Sequence, residues 1–329
     1  MIVLPYRKPC LRGILEPKGN LNELILVINN LLAHKMNISI IPSGNAGLYI
    51  ASHVINTLKP SSNNSRNNIL IPDMGGWRGF LEYPKIFNFN IIKLQSDLGI
   101  INPNTLDDVL KKNNIQTLFL TTLAGYLAHQ PIKEIKKICE EREVILIEDV
   151  SGGIGGTCGY GDIVVCSMGS PKIINCEYGG FIGINDKVKE YLIENKKIDE
   201  FKGLLKTYKV FNIYGLMKEE ALNAKKTYNK LIKYSNIFKG EFENSYFKDN
   251  NGVCVFLEYN NQREIFNGIN KTLKLDNGKS LITKCPIYER ILKNGIVIEL
   301  KKMDILNISQ EEIFEIVEEI KKIDKSQKK

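Results

Sequence analysis

The chain of 329 residues has only seven cysteines, which are irregularly spaced and include no CxxC pair. This argues against a disulfide framework and against a zinc site, and it is typical of the reducing cytoplasm. No run approaches the ~18 consecutive apolar residues that a membrane-spanning helix needs, so we expect no membrane association. The first ten residues lack the apolar core and small-residue cleavage site of a secretory signal. We therefore expect a cytoplasmic protein.

Arginine is also scarce, since 7 of the 45 basic residues are arginines and 45 − 7 = 38 are lysines. With 37 acidic residues the formal net charge is +8. The basic runs are short pairs in acid-rich, helix-like surroundings, whereas a nucleic-acid-binding surface concentrates cations on one element and favours arginine. We interpret the excess as solvated surface charge and expect no nucleic-acid partner.

From about residue 21 to 185, the sequence alternates short apolar strand patterns with amphipathic helix patterns. This predicts a mostly parallel sheet with helices on both faces, in a three-layer α/β/α large domain over residues 1–195. Beyond that point the sequence changes to a long polar helix pattern, short strands and a final helix over 309–323. We expect a smaller α+β domain over residues 196–329.

Three segments place polar residues where predicted strands end, which is the edge at which open α/β sheets bind ligands. The first, PSGNAG over 42–47, lies between a strand and a helix. Its glycines could bring backbone N–H groups close to a phosphate, or the Ser-Gly pair could be a plain helix cap. It is neither a GxGxxG motif nor a P-loop.

The second segment ends a buried strand in Glu148 and Asp149. An acid at this place could bind a metal, a ribose or a protonated ring nitrogen, or it could cap a turn. Asp149 is the better candidate because it stands next to the turn.

The third segment holds Lys172 in a loop of small residues between two apolar strands. Most of the 38 lysines are expected to be solvated surface cations, but this loop offers little to support an exposed position. We expect partial desolvation to lower the pKa of Lys172 and make it nucleophilic.

Together these segments resemble pyridoxal-phosphate (PLP) enzymes of fold type I, the aspartate aminotransferase superfamily, and most closely the DegT/StrS-type sugar-nucleotide aminotransferases. That group carries Ser-Gly-Thr before a helix, Glu-Asp at a strand end, and Ser-Phe-x-x-x-Lys followed by Glu-Gly-Gly. The corresponding residues here are Ser43-Gly44-Asn45, Glu148-Asp149, and Ser167-Met168-Gly169-Ser170-Pro171-Lys172 followed by Glu177-Tyr178-Gly179-Gly180. The resemblance covers about residues 35–190.

The resemblance implies that Lys172 forms the Schiff base with the cofactor aldehyde and then shuttles the substrate proton. It implies that Asp149 pairs with the pyridine nitrogen and keeps it protonated. Trp77, the only tryptophan, falls within about one residue of the place where the family has an aromatic on the ring face. The full set of predicted cofactor-binding residues is Gly44, Asn45, Trp77, Asp149, Ser151 and Ser167.

The sequence departs from the family at several places. Gly152 stands where the family has a glutamine that contacts the ring hydroxyl, and no Asn-x-Arg segment lies near 212–217. The second domain is shorter than usual and lacks the family's histidine-containing substrate motif. An amino donor's carboxylate typically binds an arginine. Arg12, Arg263 and Arg290 are the candidates, and the sequence does not select among them.

The resemblance implies a homodimeric aminotransferase that takes a small-molecule amino donor and a keto-sugar nucleotide or other small carbonyl acceptor. A lyase or a sulfur- or selenium-transfer enzyme of the same fold stays open, since Cys166 and Cys176 flank the lysine loop. Fold-type-I desulfurases, however, carry a histidine directly before the lysine, where this chain has Pro171. A non-catalytic or nucleic-acid-binding relative also stays open, and His129 is a minor candidate for the site.

Overall fold

In the computed structural model, the chain is described at residues 1–9, 19–58 and 67–326. The helices are α1 (Leu21–Asn29), α2 (Gly44–Thr57), α3 (Gly79–Ile86), α4 (Pro103–Lys112), α5 (Ile132–Glu141), α6 (Asp186–Glu194), α7 (Ile198–Thr207), α8 (Tyr214–Glu241), α9 (Gln262–Thr272) and α10 (Gln310–Ser326). The strands are β1 (Ile2–Leu4), β2 (Asn37–Ile41), β3 (Asn68–Pro72), β4 (Asn90–Leu94), β5 (Ile115–Thr121), β6 (Leu123–Ala124), β7 (Ala128–His129), β8 (Ile145–Asp149), β9 (Ile163–Ser167), β10 (Gly180–Ile184), β11 (Val255–Glu258), β12 (Leu273–Leu275), β13 (Ile282–Cys285) and β14 (Gly295–Ile298).

The central sheet has seven strands in the order β2-β10-β9-β8-β5-β3-β4. The run from β9 to β4 is parallel, whereas β10 is antiparallel to both of its neighbours, β2 and β9. The predicted mostly parallel sheet is therefore confirmed, with one reversed strand. A short apolar strand carries no signal of its direction, so the sequence could not show this reversal.

Both faces of the sheet are buried, as the continuous apolar strands predict. Successive side chains of a strand point to opposite faces. Phe119 of β5 accordingly packs in the cluster of α2 and α3, while its neighbours Leu118 and Leu120 pack in the cluster of α4 and α5. The predicted three-layer α/β/α arrangement is confirmed.

The C-terminal part builds an antiparallel sheet of β11, β14 and β13 against α8 and α9, and α10 packs on these two helices. The N-terminal strand β1 pairs in parallel with β12, so the two ends of the chain join in one core cluster. The domain boundary that we predict at 195/196 falls between α6 and α7. Phe201 of α7 packs in the apolar cluster of the large sheet.

In the three described stretches of the chain, we find no helix that is both long and apolar enough to cross a membrane.

Candidate active site

The polar residues at the carboxyl edge of the central sheet surround one small cavity of about 180 Å³. β2, β8 and β9 end at this edge, and the loop from β9 to β10 folds over it. The lining residues are Ser43, Gly44, Asn45, Leu48, Trp77, Asp149, Ser151, Ser167, Gly169, Ser170 and Lys172. The structure thus brings all the predicted site residues together, although they are spread over more than 120 positions of the chain.

The turn before α2 is both a helix cap and a possible anion site. Ser43 is the N-cap, and its Oγ accepts a hydrogen bond of 3.1 Å from the Ala46 N–H. The N–H groups of Gly44 and Asn45 open the helix and have no carbonyl of their own helix to bond. A Cβ on Gly44 would lie 2.7 Å from the Ser167 Cβ, so glycine lets the turn approach β9 closely. The helix dipole adds positive potential at this point.

Asp149 faces the cavity with one oxygen fixed by the protein. Its Oδ1 accepts hydrogen bonds from the Ser151 N–H at 2.9 Å and from the Ser151 hydroxyl. The Ser151 Oγ in turn accepts from the Ser167 N–H at 2.7 Å, which ties the carboxylate to β9. The other oxygen, Oδ2, has no hydrogen-bond partner in the described part of the protein, so it is available to a ligand.

Glu148 is fully buried on the opposite side of the same strand. Its carboxylate accepts from the Thr122 hydroxyl at 2.7 Å and from the N–H groups of Gly159, Tyr160 and Gly161 at 2.7–3.1 Å. Burial raises its pKa above the usual value for a glutamate. Glu148 therefore fastens the glycine-rich loop and does not reach the cavity, while Asp149 does.

The Lys172 ammonium donates a hydrogen bond to the Tyr126 hydroxyl and lies 5.5 Å from the Trp77 ring centroid. The prediction that its pKa is lowered is wrong. Burial does act to lower the pKa, but the Tyr126 oxygen and the Asp149 carboxylate outweigh it, and the pKa is raised. The charged neighbours come from other elements, so the loop sequence alone could not reveal them.

Trp77 borders the cavity between β3 and α3, and its position is fixed by a polar contact. The indole Nε1–H donates to the Asn45 Oδ1 at 2.9 Å. This bond ties the aromatic wall of the cavity to the first turn of α2. The Asn45 side-chain oxygen is thus engaged with Trp77, and the Asn45 backbone N–H is the group available to an anion.

Arg7, which the sequence did not single out, holds the lysine loop from behind. Its guanidinium donates to the carbonyls of Lys172 at 2.6 Å and Ile173 at 2.7 Å. It also pairs with Glu220 of α8 at 2.9 Å, and both side chains are largely buried. Burial acts to lower the pKa of Arg7, and Glu220 opposes this effect. The contact joins residues more than 160 positions apart, which no local pattern can show.

None of the described candidate arginines presents a free guanidinium to the cavity. Arg290 bonds Glu299 through Nε at 2.9 Å and Nη2 at 3.1 Å, and its Nη1 donates to the Glu289 carbonyl. Arg263 is exposed on α9 and does not line the cavity. Arg12 lies outside the described residues.

His129 and the two cysteines near the lysine do not line the cavity either. Both ring nitrogens of His129 face backbone carbonyls, those of Gln130 at 2.8 Å and Thr157 at 2.7 Å. The ring borders a separate open cleft of about 660 Å³. Cys166 and Cys176 are buried, and burial raises the pKa of both thiols, so neither is a reactive thiolate.

By sequence, residues 225–321 match the MJ1341 family C-terminal domain, a stretch that begins within α8 and ends within α10. Curated proteins give no significant match to the chain.

By structure, the chain is similar to solved aminotransferases. The alanine–glyoxylate aminotransferase from Nostoc sp. superposes with a TM-score of 0.73 at 10% identity, over 98% of this chain and 94% of that one. The ureidoglycine–glyoxylate aminotransferase from Bacillus subtilis gives 0.70 at 11% identity, over 98% and 92%. PseC from Helicobacter pylori, an aminotransferase involved in the biosynthesis of pseudoaminic acid, gives 0.70 at 12%, over 99% and 100%. The chain therefore has the fold of these enzymes.

Proposed function

We propose that this protein is a PLP-dependent aminotransferase in which the Lys172 amine binds the cofactor. The observation that carries the proposal is the convergence of a lysine, a carboxylate, an indole and a helix N-terminus on one cavity. The fold shared with solved aminotransferases supports it.

The donor set of the cavity fits PLP. The N–H groups of Gly44 and Asn45, with Ser167 beside them, suit a phosphate. The free Oδ2 of Asp149 suits a protonated ring nitrogen, and Trp77 supplies an apolar face for the ring. The cavity of about 180 Å³ is smaller than the ~300–1,000 Å³ of sites for drug-sized ligands, so it suits one ring with its phosphate.

Bound PLP supplies an electron sink for carbanions formed next to an amino group. The charge of Asp149 would hold a proton on the ring nitrogen and so strengthen that sink. The Lys172 amine, once free, would take and return the proton at the substrate's α-carbon. Ser151 would keep the Asp149 carboxylate in place through the two hydrogen bonds that it donates to Oδ1.

For the acceptor, we propose a keto-sugar nucleotide or another small carbonyl compound, as the likeness of the motifs to the DegT/StrS-type enzymes suggests. The superposed enzymes are named for transfer to glyoxylate or for pseudoaminic acid biosynthesis, so they support an aminotransferase without selecting the acceptor. Sulfur transfer would need an accessible cysteine, and every described cysteine is a buried free thiol. Free thiols also fit the cytoplasmic location that we propose.

We further propose that the protein is a homodimer. Phe211 is 71% exposed and packs on Tyr178, which follows the lysine loop, at 5.0 Å between ring centroids. A contiguous exposed apolar patch is typical of a surface that another chain covers, and we propose that this aromatic pair belongs to one.

The test of amino transfer is the half-reaction. PLP-loaded protein is mixed with alanine, glutamate or aspartate, and the keto acid and pyridoxamine phosphate are quantified by chromatography. With at least one donor, we expect equal amounts of keto acid and pyridoxamine phosphate. The Lys172→Ala variant should form neither product. If PLP binds but no donor yields a keto acid, aminotransfer is excluded and the lyase alternative is favoured.

A further inference from the structure

Tyr126 contacts the candidate reactive lysine although no sequence motif marks it. The Lys172 Nζ donates to its hydroxyl and lies 4.9 Å from its ring centroid. We propose that Tyr126 positions the Lys172 ammonium at the edge of the cavity, with its ring in the space that Gly152 leaves open. The inference rests on the proposed function only in taking Lys172 as the reactive group.

Gly152 and the Tyr126 ring fit each other. A Cβ on Gly152 would lie 2.7 Å from both Cδ1 and Cε1 of the ring, a distance at which the ring must move. Any side chain at 152 would therefore push Tyr126 away from Lys172. The glycine three residues after Asp149 is thus explained by the tyrosine that lies over it.

The backbone holds Tyr126 in this position from two sides. Gly125 and Tyr126 have φ values of 56° and 67° in a turn closed by the Leu127 N–H on the Ala124 carbonyl at 2.8 Å. Such a turn is typical of a tight hairpin, here between β6 and β7, but its positive φ is unfavourable for tyrosine.

Contacts from the C-terminal part of the chain offset the unfavourable backbone conformation of Tyr126. The Tyr126 carbonyl accepts from the N–H groups of Val253 at 2.9 Å and Cys254 at 3.0 Å. A Cβ on Gly125 would lie 2.4 Å from the Arg290 carbonyl oxygen, so this side of the turn is also closely packed. A strained residue held by several elements next to a reactive side chain is a feature of functional sites.

Several charged groups face Tyr126 and Lys172. The Lys301 Nζ lies 4.4 Å and the Arg290 Cζ 4.8 Å from the Tyr126 ring centroid, and Glu299 balances both cations. For Lys172, burial and Arg290 disfavour the charged form, whereas Tyr126 and Asp149 favour it. Removing the Tyr126 oxygen would leave Asp149 as the main group that opposes burial and Arg290.

The experiment measures how Lys172 reacts with acetic anhydride in the cofactor-free protein, using mass spectrometry of its peptide. Wild type, Tyr126→Phe and Gly152→Ala are compared between about pH 7 and pH 11, around the ordinary lysine pKa. We expect both variants to show a lower pKa for Lys172. Labelling of Lys172 near neutral pH should therefore rise severalfold over wild type in both variants.

The matched control is Tyr228→Phe, because the Tyr228 ring lies over Gly156 in the same glycine-rich stretch without reaching Lys172. We expect this control to keep the wild-type profile. A wild-type profile in folded Tyr126→Phe overturns the proposal. If that variant does not fold, the profile of Gly152→Ala decides in the same way.

The result is separable from the proposed function, because labelling needs no cofactor. A shifted profile in a protein that does not attach PLP overturns the function and leaves the Tyr126 contact in place. Attachment of PLP to Lys172 with an unshifted profile in the variants supports the proposed function and overturns the Tyr126 proposal.

Discussion

Glu148 and Asp149 are neighbours in the chain, but they have different environments because they point to opposite faces of β8. Glu148 is surrounded by donors from the glycine-rich loop, whereas Asp149 shares one oxygen with Ser151 and turns the other to the cavity. The same residue class therefore supports the fold at one position and lines the candidate site at the next.

We expect Asp149→Asn to lower the rate of the half-reaction by about 100-fold or more, as the loss of one strong electrostatic contact at a reaction centre does. Asparagine keeps the Oδ1 acceptor for Ser151, so the free energy of unfolding in urea should stay close to that of wild type. A variant with an unchanged rate would contradict the role of Asp149.

The matched comparison is Glu148→Gln. Its amide N–H₂ would face backbone N–H donors that now bond a carboxylate, so we expect a loss of about 1–3 kcal/mol in unfolding free energy. Urea unfolding measures the loss. Equal stability of wild type and Glu148→Gln would show that this carboxylate does not fasten the loop.

At the residue level, the sequence predicted the lining of the cavity well because these residues lie directly after strands and in short local motifs. It did not predict Tyr126 or Arg7, since their contacts to the lysine loop join residues 46 and 165 positions apart. The predicted direction of the Lys172 pKa shift was wrong for the same reason. Desolvation can be inferred from a loop, but the charges that oppose it come from the fold.

At the level of elements, the N-terminal segment and α8 together hold the lysine loop. β1 pairs with β12, and the chain then passes behind the loop, where Arg7 bonds two of its carbonyls and Glu220. The Asn175 N–H donates to the same Glu220 carboxylate at 3.0 Å. The loop that carries Lys172 is therefore positioned by one element that precedes it in the sequence and one that follows it.

We expect Arg7→Met to lower the unfolding free energy by about 3–5 kcal/mol, because it leaves the Glu220 carboxylate buried without its partner. Lys8→Met is the matched control. Lys8 pairs with Asp276 at 3.4 Å, but its side chain is 69% exposed, so we expect a change within about 0.5 kcal/mol. Urea denaturation of both variants measures the difference, and equal effects would contradict the importance of the buried pair.

Near the end of α8, Lys239 is buried with its Nζ bonded to the Asn250 carbonyl at 2.6 Å. Burial lowers its pKa to about 8, whereas an unfolded lysine keeps its proton to about pH 10.4. Between these values the unfolded chain binds more protons than the folded one, so this residue makes stability rise with pH.

We expect Lys239→Met to remove this contribution. Unfolding free energies of wild type and variant are compared at about pH 7.5 and 9.5, on either side of much of the Lys239 titration. The gain on going to the higher pH should be larger in wild type. Equal gains in the two proteins would show that Lys239 does not titrate in this window.

For the whole molecule, the helix and strand periodicity was sufficient to predict the layered architecture. The direction of β10 and the pairing of β1 with β12 were not predictable, since both depend on where distant segments meet. The match of 225–321 to a family domain and the likeness of the whole chain to aminotransferases concern different extents of the molecule. The proposed function therefore rests on the cavity residues, and the shared fold supports it.

If the exposed Phe211 lies in a dimer interface, Phe211→Asp should shift the protein from a dimer toward the monomer mass of 37.4 kDa. Light scattering measures the mass, and Ile193→Asp, at an exposed apolar position of α6, is the comparison variant. A wild-type monomer would contradict the dimer, and a Phe211→Asp dimer would contradict this placement of the interface.

The proposed role of Lys172 is tested most directly by finding where PLP attaches. The protein is incubated with PLP, reduced with borohydride, digested and analysed by mass spectrometry. We predict one modified lysine, Lys172, with no modification of the corresponding peptide in Lys172→Ala and an intact fold by circular dichroism. Absence of attached cofactor, or attachment at other lysines while Lys172 stays free, would contradict the proposed role of Lys172.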